Sequence, residues 1–146
     1  MRTKYNVSKD TPSRTHNGIV FDSAIEMKYY RDIVLPQTEN GEIAKYELQR
    51  KYILQPKFIH NNKTVQPIVY VADFFIRYKD GKEIVVDIKG CADSIAKLKR
   101  KMFRYQYPET DYRWLCYSAI VGGWCDYEYV ELQRKERKRN KTKNGG

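Results

Sequence analysis

Two aspartates interrupt strand-like apolar runs of this sequence, and a lysine follows the second by two positions. Val69-Tyr-Val-Ala-Asp73-Phe-Phe-Ile76 is apolar except for Asp73, and Ile84-Val-Val-Asp87-Ile88-Lys89 ends in a charged pair. In a strand, alternate side chains share a face, so Asp87 and Lys89 point one way and Ile84, Val86 and Ile88 the other. Two carboxylates facing each other across a sheet repel by a few tenths of a kcal/mol or more. A divalent cation offsets that repulsion, and hard oxygen donors suit Mg²⁺ or Mn²⁺. Asp73, Asp87 and the Ile88 carbonyl form the expected ligand set. Lys89 would orient or help deprotonate an attacking water, or stabilise charge on a phosphate. The competing explanation is an ordinary Lys–Asp salt bridge on a solvated strand face.

The acid-x-Lys spacing alone carries little weight. It occurs four times, at Glu26-Met-Lys28, Asp80-Gly-Lys82, Asp87-Ile-Lys89 and Glu136-Arg-Lys138, and only Asp87-Ile-Lys89 ends an apolar strand. Whether Asp73 and Asp87 meet depends on the loop between their strands. A two-residue Asp80-Gly81 loop sets Asp73 opposite Ile88, with the acids on different faces. A three-residue Lys79-Asp80-Gly81 loop sets Asp73 opposite Asp87. That loop is a type I turn followed by a left-handed residue, and Gly81 stands where the left-handed residue is needed. The three-residue loop is therefore expected.

The positioning elements follow from pattern and punctuation. A first helix starts at Asp22 or Ser23, with Ile25, Tyr29 and Ile33 on one stripe, and ends at Pro36 and Thr38-Glu-Asn-Gly41. Ser23-Ala-Ile-Glu26 has capping-box spacing, which gives Glu26 a structural task. Glu26 becomes a third metal carboxylate only if the helix lays that flank against the hairpin. Strands are expected over 44–55, 67–78, 82–89 and 112–118. A helix from Asp93 to Tyr105 should bury Ile95, Leu98 and Met102 and expose Lys97, Lys99, Arg100, Lys101 and Arg104. The order α-β-β-β-α-β predicts an α+β fold with a mixed sheet flanked by helices. Residues 126–132 fit either a short strand or a helix.

Length allows one domain with a real core. Residues 1–20 read as a basic arm, 21–130 as the domain, and 131–146 as a basic, flexible tail. The net charge is +10, and the tail holds half of the excess, with Arg134, Lys135, Arg137, Lys138 and Arg139 among its seven cations. A basic body with a basic tail points to a polyanion, most often nucleic acid. Three cysteines without C-x-x-C spacing and two distant histidines give no zinc pattern. Idle thiols suit a reducing cytoplasm. No apolar run reaches the ~20 residues of a membrane span, and the polar N-terminus is no signal peptide.

With these residues in place, the sequence resembles the PD-(D/E)XK, or restriction-endonuclease-like, superfamily. Asp73 and Asp87-x-Lys89 match its signature, and Glu26 matches the first-helix acid of many members. A closer resemblance is to a family of small phage-borne proteins described as putative endonucleases or as of unknown function. Gly18-Ile-Val-Phe-Asp-Ser-Ala-Ile-Glu26, Gln55-Pro-Lys-Phe58, Tyr70-Val-Ala-Asp-Phe74, Val86-Asp-Ile-Lys-Gly90 and Leu98-Lys-Arg-Lys-Met-Phe103 carry it. Ala72 replaces the proline of the superfamily's name, and the second acid is Asp, both tolerated variants. The resemblance implies a Mg²⁺- or Mn²⁺-dependent DNA endonuclease, with a Holliday-junction resolvase as the preferred form by analogy. Cutting both strands would call for a homodimer. A site-specific or homing-type endonuclease is the alternative within the class, and a non-catalytic DNA-binding accessory protein the alternative outside it.

Overall fold

A computed structural model describes residues 11–145, so the first half of the expected N-terminal arm lies outside the described residues. Residues 11–20 form a 3-10 turn (Pro12–Arg14) and a small hairpin of β1 (Thr15–His16) and β2 (Ile19–Val20). Arg14 Nη1 donates to the Phe21 carbonyl at 2.9 Å, tying this lead-in to the domain.

Ser23 caps α1 (Ala24–Tyr29), its hydroxyl accepting the Glu26 N–H at 3.2 Å. The helix widens into a π-helical turn (Tyr30–Val34) and resumes as α2 (Leu35–Glu39). Pro36 therefore does not end it. Pro36 falls in the first turn of α2, where its missing N–H costs no hydrogen bond. Termination comes at Asn40 and at Gly41, whose φ of +85° suits glycine.

Five strands form the main sheet in the order β3 (Ile43–Gln55), β6 (Ile68–Tyr78), β7 (Glu83–Ile88), β8 (Tyr112–Ser118) and β9 (Gly123–Asp126). β7 and β8 are parallel, joined through α3 (Ser94–Gln106), and the other pairs are antiparallel. This is a mixed α+β fold with the expected order of elements. A separate two-stranded ribbon, β4 (Phe58–His60) and β5 (Lys63–Val65), lies between β3 and β6.

The core lies on both faces of the sheet. On one, Tyr29, Tyr30 and Val34 pack on Phe74, Ile76, Ile84, Val86 and Ile88. On the other, Phe103 of α3 is fully buried among Tyr52, Tyr70, Tyr107 and Tyr112, with its ring 4.4 Å from that of Tyr112. Truncating such an aromatic to alanine costs about 3–5 kcal/mol.

The docking of α3 corrects one expectation. Ile95 and Leu98 do not face the core but are 59% and 57% exposed. Phe103 in the aromatic cluster, Ala96 beside the Trp114 and Tyr127 cluster, and Arg100 over the Trp114 ring at 4.1 Å fix a different rotation. Residues 126–132 belong to the end of β9 and to a long helix, α4 (Tyr127–Asn144), so the segment expected to be a flexible tail is helical as far as Asn144. No helix among the described residues is long and apolar enough to cross a membrane.

Candidate active site

The loop between β6 and β7 is the three-residue one. Tyr78 N–H donates to the Lys82 carbonyl at 2.8 Å, Gly81 N–H to the Tyr78 carbonyl at 2.9 Å, and Gly81 has φ +90°. The register is Arg77↔Glu83, Ile76↔Ile84, Phe75↔Val85 and Phe74↔Val86. Continued by one residue, it sets Asp73 across from Asp87.

The ladder changes character at that point. Antiparallel alternation would give the Ile88 N–H to the carbonyl of Ala72. Instead the Asp73 carboxylate accepts that N–H, through Oδ2 at 2.8 Å. The cause lies in the neighbouring strand. Gln49 of β3, bracketed by the pairs Leu48↔Phe74 and Arg50↔Ala72, has φ +55°. On β3, Tyr46 and Leu48 pack on the α1 face, but Tyr52 and Leu54 on the α3 face. On β6, Phe74 and Ile76 pack on the α1 face, but Tyr70 and Ala72 on the α3 face. Both strands exchange faces at Gln49 and Asp73, which re-aims Asp73 toward the end of β7.

Among the described residues, the buried polar or charged side chains are Glu26, Asp73 and Asp87, at 3%, 1% and 1% exposure. Ionised carboxylates are almost never fully buried without a compensating positive charge. Lys89 supplies part of it, with Nζ 2.6 Å from Asp87 Oδ2 and 4.9 Å from the Trp114 ring centre. Trp114 pairs with Asp87 across the parallel β7–β8 register and is itself buried. The Lys89–Asp87 ion pair therefore exists, but the face that carries it is not solvated.

A second set of groups orients Asp87, and the sequence did not reveal it. The Trp114 indole N–H donates to the Tyr112 hydroxyl at 2.6 Å, and that hydroxyl donates to Tyr70 at 2.9 Å. The Tyr70 hydroxyl in turn hydrogen-bonds the Asp87 carboxylate. Burial and then the charge of Asp87 push the Tyr70 phenol well above its ordinary value, and the same causes push Tyr112 up to about 12. Both are neutral donors at physiological pH. Alternation along β8 puts Tyr112 and Trp114 on one face, but only the β7–β8 register could have shown that this face adjoins Asp87.

The donor set fits a hard divalent ion held partly by water. Among the described residues, no group of three or more His, Cys, Asp or Glu side chains stands ready to hold a metal. Asp73, Asp87 and the Ile88 backbone meet where two strands adjoin, and Mg²⁺ commonly uses one or two carboxylates, with waters and a substrate phosphate completing its shell. Glu26 is buried on α1, which packs over Phe74, Val86 and Ile88.

The expected basic surface is redistributed. Lys99 Nζ donates to the Val69 carbonyl at 3.0 Å, Arg100 lies on Trp114, and Arg104 pairs with Glu128 of α4 at 2.5 Å. These three brace α3, while Lys97 and Lys101 are exposed. On α4, Arg134 approaches the Gly90 carbonyl at 3.5 Å and Lys135 pairs with Glu131 at 3.7 Å. Arg137, Lys138 and Arg139 are exposed. The contact with Gly90 brings the basic helix alongside the strand end that carries Lys89.

A mixed α+β domain with a buried acidic site at a strand junction is the class that fold and site define. The chain belongs to a family described as "Protein of unknown function (DUF1064)", which matches residues 2–122. No curated protein and no solved structure gives a significant match. The matched region contains Glu26, Asp73, Asp87 and Lys89 and ends before α4.

Proposed function

We propose that this protein is a Mg²⁺- or Mn²⁺-dependent DNA endonuclease with a restriction-endonuclease-like core. One observation carries the reading: the charged side chains buried among the described residues are three carboxylates, two on neighbouring strands, with Lys89 against the second. That is a costly arrangement for a structural core and an apt one for holding a cation against a phosphate.

Asp73, Asp87 and the Ile88 carbonyl would hold the ion. Bound there, it supplies Lewis-acid activation of water and charge neutralisation at phosphorus. Asp73 is held by the Ile88 N–H, and Asp87 by Lys89 and the Tyr70 hydroxyl. Lys89 Nζ orients the attacking water and stabilises negative charge on the phosphate oxygens as it develops. Water oxygen bonds to phosphorus, the bond to one bridging oxygen breaks, and the proton lost by water is balanced by one gained at the leaving oxygen. Glu26 contributes to the buried negative potential from α1. The exposed cations of α3 and α4 supply sequence-independent contacts to the DNA backbone.

A branched substrate such as a four-way junction is the preferred form, cut by a homodimer so that both strands are reached. Activity of this kind belongs in the cytoplasm, where the DNA is. The test is a panel of linear, nicked, flap and four-way DNA, with a matched RNA set, incubated with Mg²⁺ or Mn²⁺. Cleavage of DNA that depends on the metal supports the reading. Binding without cleavage assigns the chain to the non-catalytic accessory class instead.

A further inference from the structure

The site leaves one prominent feature unused. β3 and β6 continue past the sheet as the β4–β5 ribbon, and every residue from Pro56 to Gln66 is exposed. The register is continuous, since Gln55↔Ile68 and Phe58↔Val65 belong to the same pairing frame, with Pro56 and Pro67 opposite each other between them. Neither proline can donate to a ladder, so the pair separates the ribbon from the sheet without shifting it. The tip is a two-residue turn, Asn61 and Asn62, with φ of +47° and +60°. Both values suit the tight hairpin turn that asparagine tolerates.

Exposure on both faces costs this ribbon its own core. Phe58, Ile59 and Val65 are 40%, 75% and 37% exposed. Its charge is one-signed, because no Asp or Glu occurs between Glu47 and Asp73, whereas Arg50, Lys51, Lys57 and Lys63 do. An isolated two-stranded ribbon is marginally stable in water, and this one lacks the acids that would keep it off a polyanion.

We infer that the β4–β5 ribbon enters the major groove of duplex DNA beside the cleavage site, an assignment that rests on the proposed action on DNA. Lys57 and Lys63 contact the phosphates of the groove walls. Ile59 supplies apolar contact of the kind thymine methyl groups accept, and His60, Asn61 and Asn62 meet base edges. The shape agrees: the major groove of B-DNA is about 12 Å wide and admits a two-stranded ribbon. From Pro56 to Asn61 the ribbon extends roughly 17 Å at about 3.4 Å per residue, ample for a groove about 8.5 Å deep. Its placement agrees too. β6 begins at the end of the sheet where antiparallel β7 finishes, so the ribbon projects from the edge carrying Asp87-Ile88-Lys89. Its base is six residues along β6 from Asp73, roughly 20 Å at the rise of a strand. Its tip is eleven residues along the strand from Asp73, roughly 37 Å, so one duplex spans both over slightly more than one helical turn of about 34 Å.

The experiment measures binding of a B-form DNA duplex and a matched A-form RNA duplex by fluorescence anisotropy, without divalent metal, across a salt series. Wild type is compared with Lys57→Ala/Lys63→Ala and with Ile59→Asp. Two lost phosphate contacts are expected to make the log–log salt slope on DNA shallower by about 1.8, at about 0.9 per contact. RNA binding should not change, because the A-form major groove is too narrow for the ribbon. Unchanged affinity and slope on DNA overturn the inference, as does an equal loss on RNA. Dissociation of a homodimer by Ile59→Asp with DNA binding intact also overturns it, making the ribbon a protein contact. In a parallel cleavage assay with Mg²⁺, wild type that cuts DNA while the double substitution leaves the binding slope unchanged refutes the ribbon and leaves the nuclease. Protein that shows the slope change but never cuts supports the ribbon and refutes the nuclease.

Discussion

Replacing Asp73 with asparagine separates the cost of the buried acids from their use. Asparagine keeps an oxygen that can accept the Ile88 N–H, which Asp73 Oδ2 now takes at 2.8 Å, but removes one negative charge from the cross-strand pair. Cβ atoms of such a pair lie about 5 Å apart. Two unit charges at that separation repel by about 3 kcal/mol at an effective dielectric of about 20. Charge-assisted hydrogen bonding lost to the neutral amide takes back about 1 kcal/mol. The net expectation is a metal-free protein more stable by about 1–2 kcal/mol, or a Tm higher by roughly 3–8 °C at this chain length. Asp87→Asn should gain less, because it also gives up the Lys89 pair at 2.6 Å. Metal inverts the order. At about 100 times its Kd, Mg²⁺ adds about 2.7 kcal/mol to wild type and nothing to a protein that cannot bind it. Thermal melts of wild type, Asp73→Asn and Asp87→Asn, with EDTA and across a Mg²⁺ or Mn²⁺ series, test both halves. An Asp73→Asn protein that is less stable than wild type in EDTA and gains as much from metal would show that Asp73 neither repels Asp87 nor holds the ion.

Tyr70→Phe removes the neutral donor to Asp87 and should lower the cleavage rate about tenfold, equivalent to about 1.4 kcal/mol of hydrogen bonding to a charged group, with KM for DNA unchanged in steady-state assays. The metal-free protein should also lose stability as pH rises from about 10 toward 12. Tyr112 stays protonated in the fold up to about 12, while the unfolded chain releases that proton near 10. Ultraviolet titration of wild type against Tyr112→Phe reads this directly, since the difference between them should be small near pH 10 and grow toward 12, and a difference centred near pH 10 would contradict it. At Gln49, with φ +55°, glycine should hold or raise stability and preserve cleavage. Valine should cost about 1–2 kcal/mol by denaturant melt and reduce cleavage, because the β-branched side chain resists the left-handed conformation that re-aims Asp73. Truncation after Val130 removes most of α4 and spares Glu128, which pairs with Arg104. The salt slope for DNA binding should then fall by roughly 0.9 for each of about five lost phosphate contacts, and an unchanged slope would exclude α4 from the interface.

Much of this arrangement was legible in the sequence because parity and punctuation fix it. One glycine at position 81 selected the three-residue loop, and that loop carries the register for every pair between β6 and β7. Ser23 announced α1, and Asp93 begins α3 as its N-cap, accepting the Ala96 N–H at 2.7 Å. What escaped detection depends on tertiary context. Glutamine has no preference for the left-handed region, so Gln49 gave no sign that both strands exchange faces beside Asp73. Ile95 and Leu98 have core-like spacing, yet burial of Phe103 and the Arg100–Trp114 stack determine how α3 rotates. Lys99 and Arg100 are drawn inward by the Val69 carbonyl and the Trp114 ring, while Arg104 stays exposed in its pair with Glu128. Pro36 looked like a helix stop, but a π-helical turn ahead of it lets the helix restart. Glu26 has the spacing of a capping box, and only the packing of α1 on the sheet shows that its side chain is buried.

Metal-dependent phosphodiester hydrolysis at the β6–β7 strand junction would need both Asp87 and Lys89, which form an ion pair there. The most direct test is cleavage of labelled four-way and linear DNA in Mg²⁺ or Mn²⁺ by wild type, Asp87→Ala and Lys89→Ala, with binding and melting temperature measured for each protein. Wild type should cut and stop cutting in EDTA, while both variants bind DNA, remain folded and lose cleavage by at least about a hundredfold, or about 2.7 kcal/mol of transition-state stabilisation. A wild-type protein that binds the DNA panel and cuts none of it would rule out hydrolysis at this junction. So would a Lys89→Ala protein that cuts as fast as wild type.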